Sequence, residues 1–314
     1  MNVDFAAKYL KEGKLVAIPT ETVYGLAANG LNDSAIVKIF EAKNRPFFDP
    51  LILHIHSFEE IKKYATSFPS LAKILAEHFW PGPLSIVLPK KDIISDLVTA
   101  GLPDAAFRIP DHPLTLQLLK KLDFPLAAPS ANPFGYISPT TALHVEDQLG
   151  EKVDYILDGG ACKIGIESTI ITFENEIPVI LRLGGVSVEQ IEKVLGLKVK
   201  LKDNGFIKAP GMTASHYAPT KKLIIGAIDQ LLNDYSKEKV GIISFQKNYL
   251  NSKFSWTLSP SGNIQEAAKN LFLILREADK SGADIIISEF VPDVGIGRAI
   301  NDRLRKASAK RDYV

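Results

Sequence analysis

Leu15-Val16-Ala17-Ile18-Pro19-Thr20-Glu21-Thr22-Val23-Tyr24-Gly25-Leu26 is the stretch whose reading decides the architecture. Four apolar residues closed by a proline predict a short buried strand. The residues that follow pack two hydroxyls, a carboxylate and a phenol into a loop ending in glycine. Loops that leave strand ends are where α/β proteins place ligands. Read alone, this loop is better explained as a threonine-rich turn whose hydroxyls cap backbone.

Outward from it, strands and helices alternate. Upstream, Asp4 is a helix cap, Phe5, Tyr9 and Leu10 are apolar, and Gly13 stops the helix. Downstream, a helix starting at Asp33 or Ser34 puts Ile36, Ile39 and Phe40 on one face and must end by Pro46. Leu51–Ile55 reads as the next strand. Ser57 with Glu60 forms a capping box for a third helix, and another runs through Leu71, Ile74 and Leu75 to Trp80. Strands then dominate, at Leu84–Leu88, Ala105–Ile109, Leu126–Ala128, Tyr155–Leu157, Ser168–Phe173 and Pro178–Leu183. Helices near Leu114–Leu122, Thr141–Leu149 and Val188–Leu195 separate some of them. The alternation predicts an α/β fold with a mixed sheet. Residues 201–220 lose periodicity and carry Gly205, Pro210, Gly211 and Pro219, the signature of a linker. Beyond it a smaller βαβ-like pattern has strands at Lys222–Ile225, Val240–Phe245 and Asp284–Phe290. Its helices are Ile264–Ala278, with Ala267, Leu271, Ile274 and Leu275 inward, and a basic Ala299–Lys310. The expected organisation is a domain over 1–200, a linker over 201–220 and a small α/β domain over 221–314.

Bulk properties agree with two domains, since 314 residues exceed one ordinary core. Lys plus Arg is 37 against Asp plus Glu 36, so any nucleic-acid contact would be local or brief. The single cysteine, Cys162, excludes a disulfide framework and a cysteine zinc site within the chain, and fits a reducing cytosol. The N-terminus has no apolar h-region, and no apolar run approaches the ~20 residues of a membrane span. The expectation is a soluble, cytoplasmic protein with no membrane association.

Several residues could carry chemistry. Lys43 and Arg45, in Glu41-Ala42-Lys43-Asn44-Arg45-Pro46, either offset the negative end of a helix dipole or, pointed at the Thr22 loop, suit phosphate. Ser130 and Asn132, in Pro129-Ser130-Ala131-Asn132-Pro133, are either a turn or a polar cradle for a nucleotide, and Ser138 and Thr140 are candidate caps of the next helix. Arg108 lies inside an apolar strand, where it either faces solvent or answers a buried anion. Ser168-Thr169 opens one late strand and Arg182 sits near the end of another. His54 and His56 share a face by the strand period but lack a third ligand, so no metal site is expected there. There is no G-x-x-x-x-G-K-[ST], and Gly295-Ile296-Gly297 lacks the third glycine of a dinucleotide fingerprint.

In this order, Pro-Thr-Glu-Thr-Val-Tyr-Gly-Leu, Glu-Ala-Lys-Asn-Arg-Pro, Asp-Pro-Leu-Ile-Leu-His-Ile, Trp-Pro-Gly-Pro-Leu, Arg-Ile-Pro-Asp-His-Pro and Ala-Pro-Ser-Ala-Asn resemble the YrdC-like threonylcarbamoyl-AMP synthases. Ala209–Pro219 is similar to the linker of their two-domain branch. The resemblance implies a twisted mixed sheet with a large cavity, followed by a smaller Rossmann-like domain. It implies that L-threonine, bicarbonate or CO2 and ATP give threonylcarbamoyl-AMP and pyrophosphate. The product passes to the machinery that modifies the adenosine beside the anticodon of tRNAs reading codons that start with A, with a transient tRNA contact. Carried over residue by residue, Lys43 and Arg45 would be catalytic and face the phosphates. Ser130, Asn132, Ser138 and Arg182 would line the nucleotide, and Tyr217 from the linker would close over it as a lid. Thr22, His54, Arg108, Ala128 and Ser168 would hold threonine, and Mg2+ would accompany ATP. Asp49 and Asp104 join the ATP set, though the family often has Asn at the first and a hydroxyl residue at the second. A non-catalytic RNA-binding module is the competing class, disfavoured by the near-zero charge. A carbamoyl-transfer maturation factor would need cysteine-rich zinc modules that one cysteine cannot supply.

Overall fold

The structure is a computed structural model that describes residues 2–202, 216–235 and 239–309. The helices are α1 (Val3–Lys11), α2 (Asp33–Lys43), α3 (Ile61–Tyr64), α4 (Ser70–Phe79), α5 (Asp96–Thr99), α6 (Pro113–Leu119), α7 (Ala142–Leu149), α8 (Val188–Leu195), α9 (Ile228–Asp234), α10 (Ile264–Lys280) and α11 (Gly297–Ser308). The strands are β1 (Val16–Ile18), β2 (Gly25–Asn29), β3 (Ile52–His54), β4 (Leu84–Pro89), β5 (Asp104–Arg108), β6 (Leu126–Ala127), β7 (Tyr155–Ile156), β8 (Thr169–Glu174), β9 (Ile177–Arg182), β10 (Lys200–Leu201), β11 (Lys222–Ile225), β12 (Val240–Ser244), β13 (Phe254–Thr257) and β14 (Ile285–Ser288). The chain forms two compact units. Gly135–Ser138 and Ile164–Ile166 cluster with the C-terminal segment, and the rest up to residue 202 makes the first unit.

The first unit is built on a ten-stranded sheet in the order β10-β9-β8-β4-β5-β3-β6-β2-β1-β7. Parallel pairs (β3 with β5, β4 with β8) alternate with antiparallel ones (β1 with β2, β4 with β5, β8 with β9), so the sheet is mixed as expected. Leu53, Phe107 and Ile86 stand opposite one another across β3, β5 and β4 and belong to the main core. By the strand period of two, their neighbours point to the other face. That face carries a small apolar cluster, Ile52, Val87, Ala106 and Ile170 among it, which gives way to His54, Ser85, Arg108 and Ser168. The second unit holds an all-parallel four-stranded sheet, β11-β14-β12-β13. The inward face of α10 is Ala267, Leu271, Phe272, Ile274, Leu275 and Ala278, matching its 3.6-residue period.

Local expectations fail where a nearer group wins. Asn2, not Asp4, caps α1, accepting from the N–H of Asp4 and Phe5. Ser57 makes no capping bond: its side chain engages the Glu59 carboxylate, and the Glu60 carboxylate turns back to the His56 N–H (3.0 Å) and His56 Nδ1 (2.7 Å). Thr141, rather than Ser138 or Thr140, caps α7. His56 falls after β3, so it shares no strand with His54. Strand β2 was hidden because Gly25-Leu26-Ala27-Ala28-Asn29 holds no β-branched residue. In the second unit α9 and β13, which patterning had left unassigned, complete the sheet and its cover. The expected linker lies largely outside the described residues.

Candidate active site

The loop between β1 and β2 is shaped from within. Thr20 Oγ1 donates to the Val23 carbonyl (2.6 Å) and accepts from the Thr22 and Val23 N–H groups (3.1 and 3.2 Å). The turn-capping reading is therefore correct for Thr20. Thr22 differs. Its fully buried hydroxyl lies 2.8 Å from that of Thr20 and accepts from Arg108 Nη2 at 2.9 Å. Arg108 is buried rather than solvent-facing and answers an anion, Glu21, whose Oε1 is 2.6 Å from the same nitrogen. Arg108 Nε donates to the Gly82 carbonyl at 3.2 Å. His54 is the register partner of Arg108, so the imidazole and the guanidinium rise from the same face. Burial, then the Arg108 charge, push the His54 pKa down to about 3, so the ring is neutral at physiological pH.

The adjoining strands extend the polar face. Ser168 Oγ is 2.8 Å from Ser85 Oγ. Arg182, next to the end of the antiparallel hairpin β8–β9, donates Nε and Nη2 to the Ser168 carbonyl (3.1 and 2.9 Å) and Nη2 to the Ser168 hydroxyl (3.0 Å). Gly184 permits this approach: a Cβ there would stand 2.3 Å from the Ser168 carbonyl carbon.

A second group of cations gathers at the end of α2. Lys43 is in the last turn of α2, which Asn44 ends in the left-handed conformation at φ 51°. A dipole-offsetting cation would stay in solvent, but Lys43 is buried. Its Nζ donates to the Ser130 carbonyl at 2.6 Å and to the Asn132 carbonyl. Burial, then the neighbouring Arg45, hold its pKa well below the usual lysine value, against the pull of Asp49. Arg45 reaches the Asp49 carboxylate (Nη2 to Oδ2, 2.9 Å) and the carbonyls of Asp49 and Pro50 (3.1 and 2.8 Å). Burial raises the Asp49 pKa against the opposing pull of Arg45, Lys43 and Arg182. The segment with Ser130 is fastened to the threonine loop: Gly25 bridges Ser130, and the Ala131 N–H donates to the Tyr24 carbonyl at 2.8 Å.

The structure thus brings Thr22, His54, Arg108, Ser168 and Arg182 into one polar patch. It brings Lys43, Arg45, Asp49, Ser130 and Asn132 into a second. Ala128 follows β6, its N–H on the Ile52 carbonyl (3.0 Å). Asp104 opens β5, four residues before Arg108, and is the register partner of Pro89 on β4. Ser138 and Tyr217, both buried, belong to the second unit, where Tyr217 stacks on Phe272 (5.6 Å) beneath Arg303 (5.3 Å). Two site residues escaped the sequence reading. Glu21 stood inside the quoted loop motif, one residue from Thr22. Ser85 is the polar position two residues before Val87 on the site face of β4.

Residues 8–184 match the Sua5/YciO/YrdC family profile, described as "Telomere recombination". Residues 186–309 match the Sua5 C-terminal profile, described as "Threonylcarbamoyl-AMP synthase, C-terminal domain". A threonylcarbamoyl-AMP synthase of Pyrococcus abyssi is 42% identical, over 98% of this chain and 94% of that protein. One of Bacillus subtilis is 42% identical, over 98% and 92%. The crystal structure of P. abyssi Sua5 complexed with L-threonine superposes with a TM-score of 0.92 at 42% identity, covering 98% of this chain and 94% of that one. The chain belongs to the Sua5/YciO/YrdC family.

Proposed function

We propose that this protein is an L-threonylcarbamoyladenylate synthase, a nucleotidyltransferase that joins L-threonine, bicarbonate-derived CO2 and ATP and releases pyrophosphate. The observation that carries the reading is the pair of polar patches fastened together by the Gly25–Ser130 bridge. One centres on a guanidinium suited to an amino-acid carboxylate, the other on a lysine and an arginine suited to phosphates. The names of the full-length relatives and the threonine complex of the P. abyssi protein support it.

In this reading Arg108 takes the threonine carboxylate, and Thr22, Ser168 and the neutral His54 surround its polar groups, with Ala128 beside them. The threonine amine, as free base, captures CO2 as a carbamate. A carbamate oxygen attacks the α-phosphorus of ATP, and the bond to pyrophosphate breaks. Negative charge grows on the phosphoryl oxygens and the leaving group, so positioning and fixed cations dominate catalysis. Lys43 and Arg45 are those cations. An arriving triphosphate raises the depressed pKa of Lys43 and favours the ammonium. Ser130 and Asn132 line the nucleotide, and Arg182, whose charge also acts on Asp49, stands between the two patches. Mg2+ accompanies ATP and supplies neutralisation of phosphate charge. Asp49 Oδ1, buried and without a hydrogen-bond partner among the described residues, is the protein oxygen that would hold it; Asp104 is the second candidate. The intermediate passes, in the cytoplasm, to the enzymes that modify tRNA.

The test is pyrophosphate release with threonine, serine and other amino acids, each with and without bicarbonate. Release that requires both threonine and bicarbonate supports the reading. Release indifferent to either, or tight RNA binding without ATP turnover, sinks it.

A further inference from the structure

Glu21 has a place in this site that the reaction as described does not use. Its carboxylate is buried and fully committed: Oε1 to Arg108 Nη2 (2.6 Å), Oε2 to the Asp111 N–H (3.0 Å). Arg108 is then held at three points, with Nε on the Gly82 carbonyl and Nη2 shared by Glu21 and Thr22. Nη1 alone keeps no hydrogen-bond partner among the described residues.

A guanidinium has two edges that can grip a carboxylate in bidentate fashion. Glu21 and Thr22 use up Nη2, so an incoming carboxylate meets Nη1. The pair also sets the charge before any ligand arrives: one buried cation and one buried anion. The Arg108–Glu21 pair is itself neutral, so an amino-acid zwitterion meets a paired guanidinium and not a bare cation, and a free dianion such as a dicarboxylate gains less from it than from an unpaired arginine. An unpaired buried arginine would lose both its orientation and this discrimination.

We propose that Glu21 is a positioning residue for amino-acid recognition: it fixes the Arg108 guanidinium so that Nη1 alone reads the substrate carboxylate. The inference rests on the reading above that Arg108 takes the threonine carboxylate. Glutamine at this position keeps the shape but can no longer accept from both Arg108 and the Asp111 N–H, since its amide nitrogen must face one of two donors.

The experiment measures threonine and ATP binding separately by calorimetry on the full chain, for wild type, Glu21→Gln and Glu21→Asp, with thermal unfolding alongside. The expected result is a threonine Kd raised at least tenfold in Glu21→Gln and partly restored in Glu21→Asp. ATP affinity should stay within about twofold. The preference for threonine over aspartate should narrow. A threonine Kd unchanged in Glu21→Gln overturns the inference alone, as does an equal loss of threonine and ATP affinity. A wild-type chain that binds no threonine overturns the substrate reading and this inference together.

Discussion

Arg45 and Asp49 form a buried ion pair, Nη2 to Oδ2 at 2.9 Å, in which both side chains are almost wholly withdrawn from water. Such a pair is a weak source of stability but a costly one to break from one side.

Arg45→Ala is expected to do two things. It leaves the Asp49 carboxylate buried and unpaired, which costs about 3–5 kcal/mol. It also removes a phosphate-facing cation, so threonine- and bicarbonate-dependent pyrophosphate release should stop. Arg45→Ala combined with Asp49→Asn should recover much of the stability but none of the activity. Chemical denaturation and a pyrophosphate assay on the same samples check both, and near wild-type turnover in Arg45→Ala would falsify its role.

Lys43 separates activity from stability through pH. Its folded pKa is lowered by burial, then by Arg45, from the ordinary 10.5. Between the lowered value and 10.5 the unfolded chain binds the extra proton, so this residue's contribution to stability rises with pH in that window. Lys43→Met has no such proton to lose. Wild type should therefore gain on the variant as pH rises toward 10.5, by at most about 1.4 kcal/mol per pH unit. The variant should release no pyrophosphate at any pH. A stability difference that is flat in pH counts against the depressed ammonium.

His54 should remain neutral and titrate only in strong acid, near its folded pKa of about 3. Its unfolded value, 6.5, is higher, so the unfolded state holds the extra proton between the two. Stability from this residue is complete above 6.5 and is lost as pH falls toward 3. His54→Gln should flatten the acid side of the stability profile by about one proton. Side-chain NMR that finds His54 titrating between pH 5 and 8 would contradict this.

Thr22→Val keeps the shape of a buried side chain and deletes one acceptor of Arg108 Nη2. A hydrogen bond to a charged group contributes about 1.5–3 kcal/mol. The threonine KM should rise roughly tenfold or more by that margin, with the ATP KM little changed. An effect shared equally by both substrates would point to the loop's shape and not to its hydroxyl.

How far the sequence reached depended on range. The period of 3.6 in α10 stated its inward face directly, because a helix repeats its own geometry along the chain. Helix starts were less secure. At α1 and at Ser57 several side chains compete for the same N–H groups, and the winner depends on neighbours such as His56 that a motif does not weigh. β2 was invisible because its small residues are chosen by close packing, as where Gly25 meets Ala128, and not by strand propensity.

The sequence by itself determined the α/β class, the order of the elements and the family motifs on the loops. It left open whether Arg108 faced water, whether Lys43 merely ended a helix, and whether Thr22 was part of a turn. Only the tertiary structure decided these. The pairing of β3 with β5 puts His54 beside Arg108, and the bridge from Gly25 to Ser130 carries Lys43's acceptors to the threonine loop. Glu21 was one letter in a motif until the fold set it 2.6 Å from a residue 87 positions away. Local periodicity is written in neighbouring residues, whereas the partner of a buried charge is fixed by which strands pair.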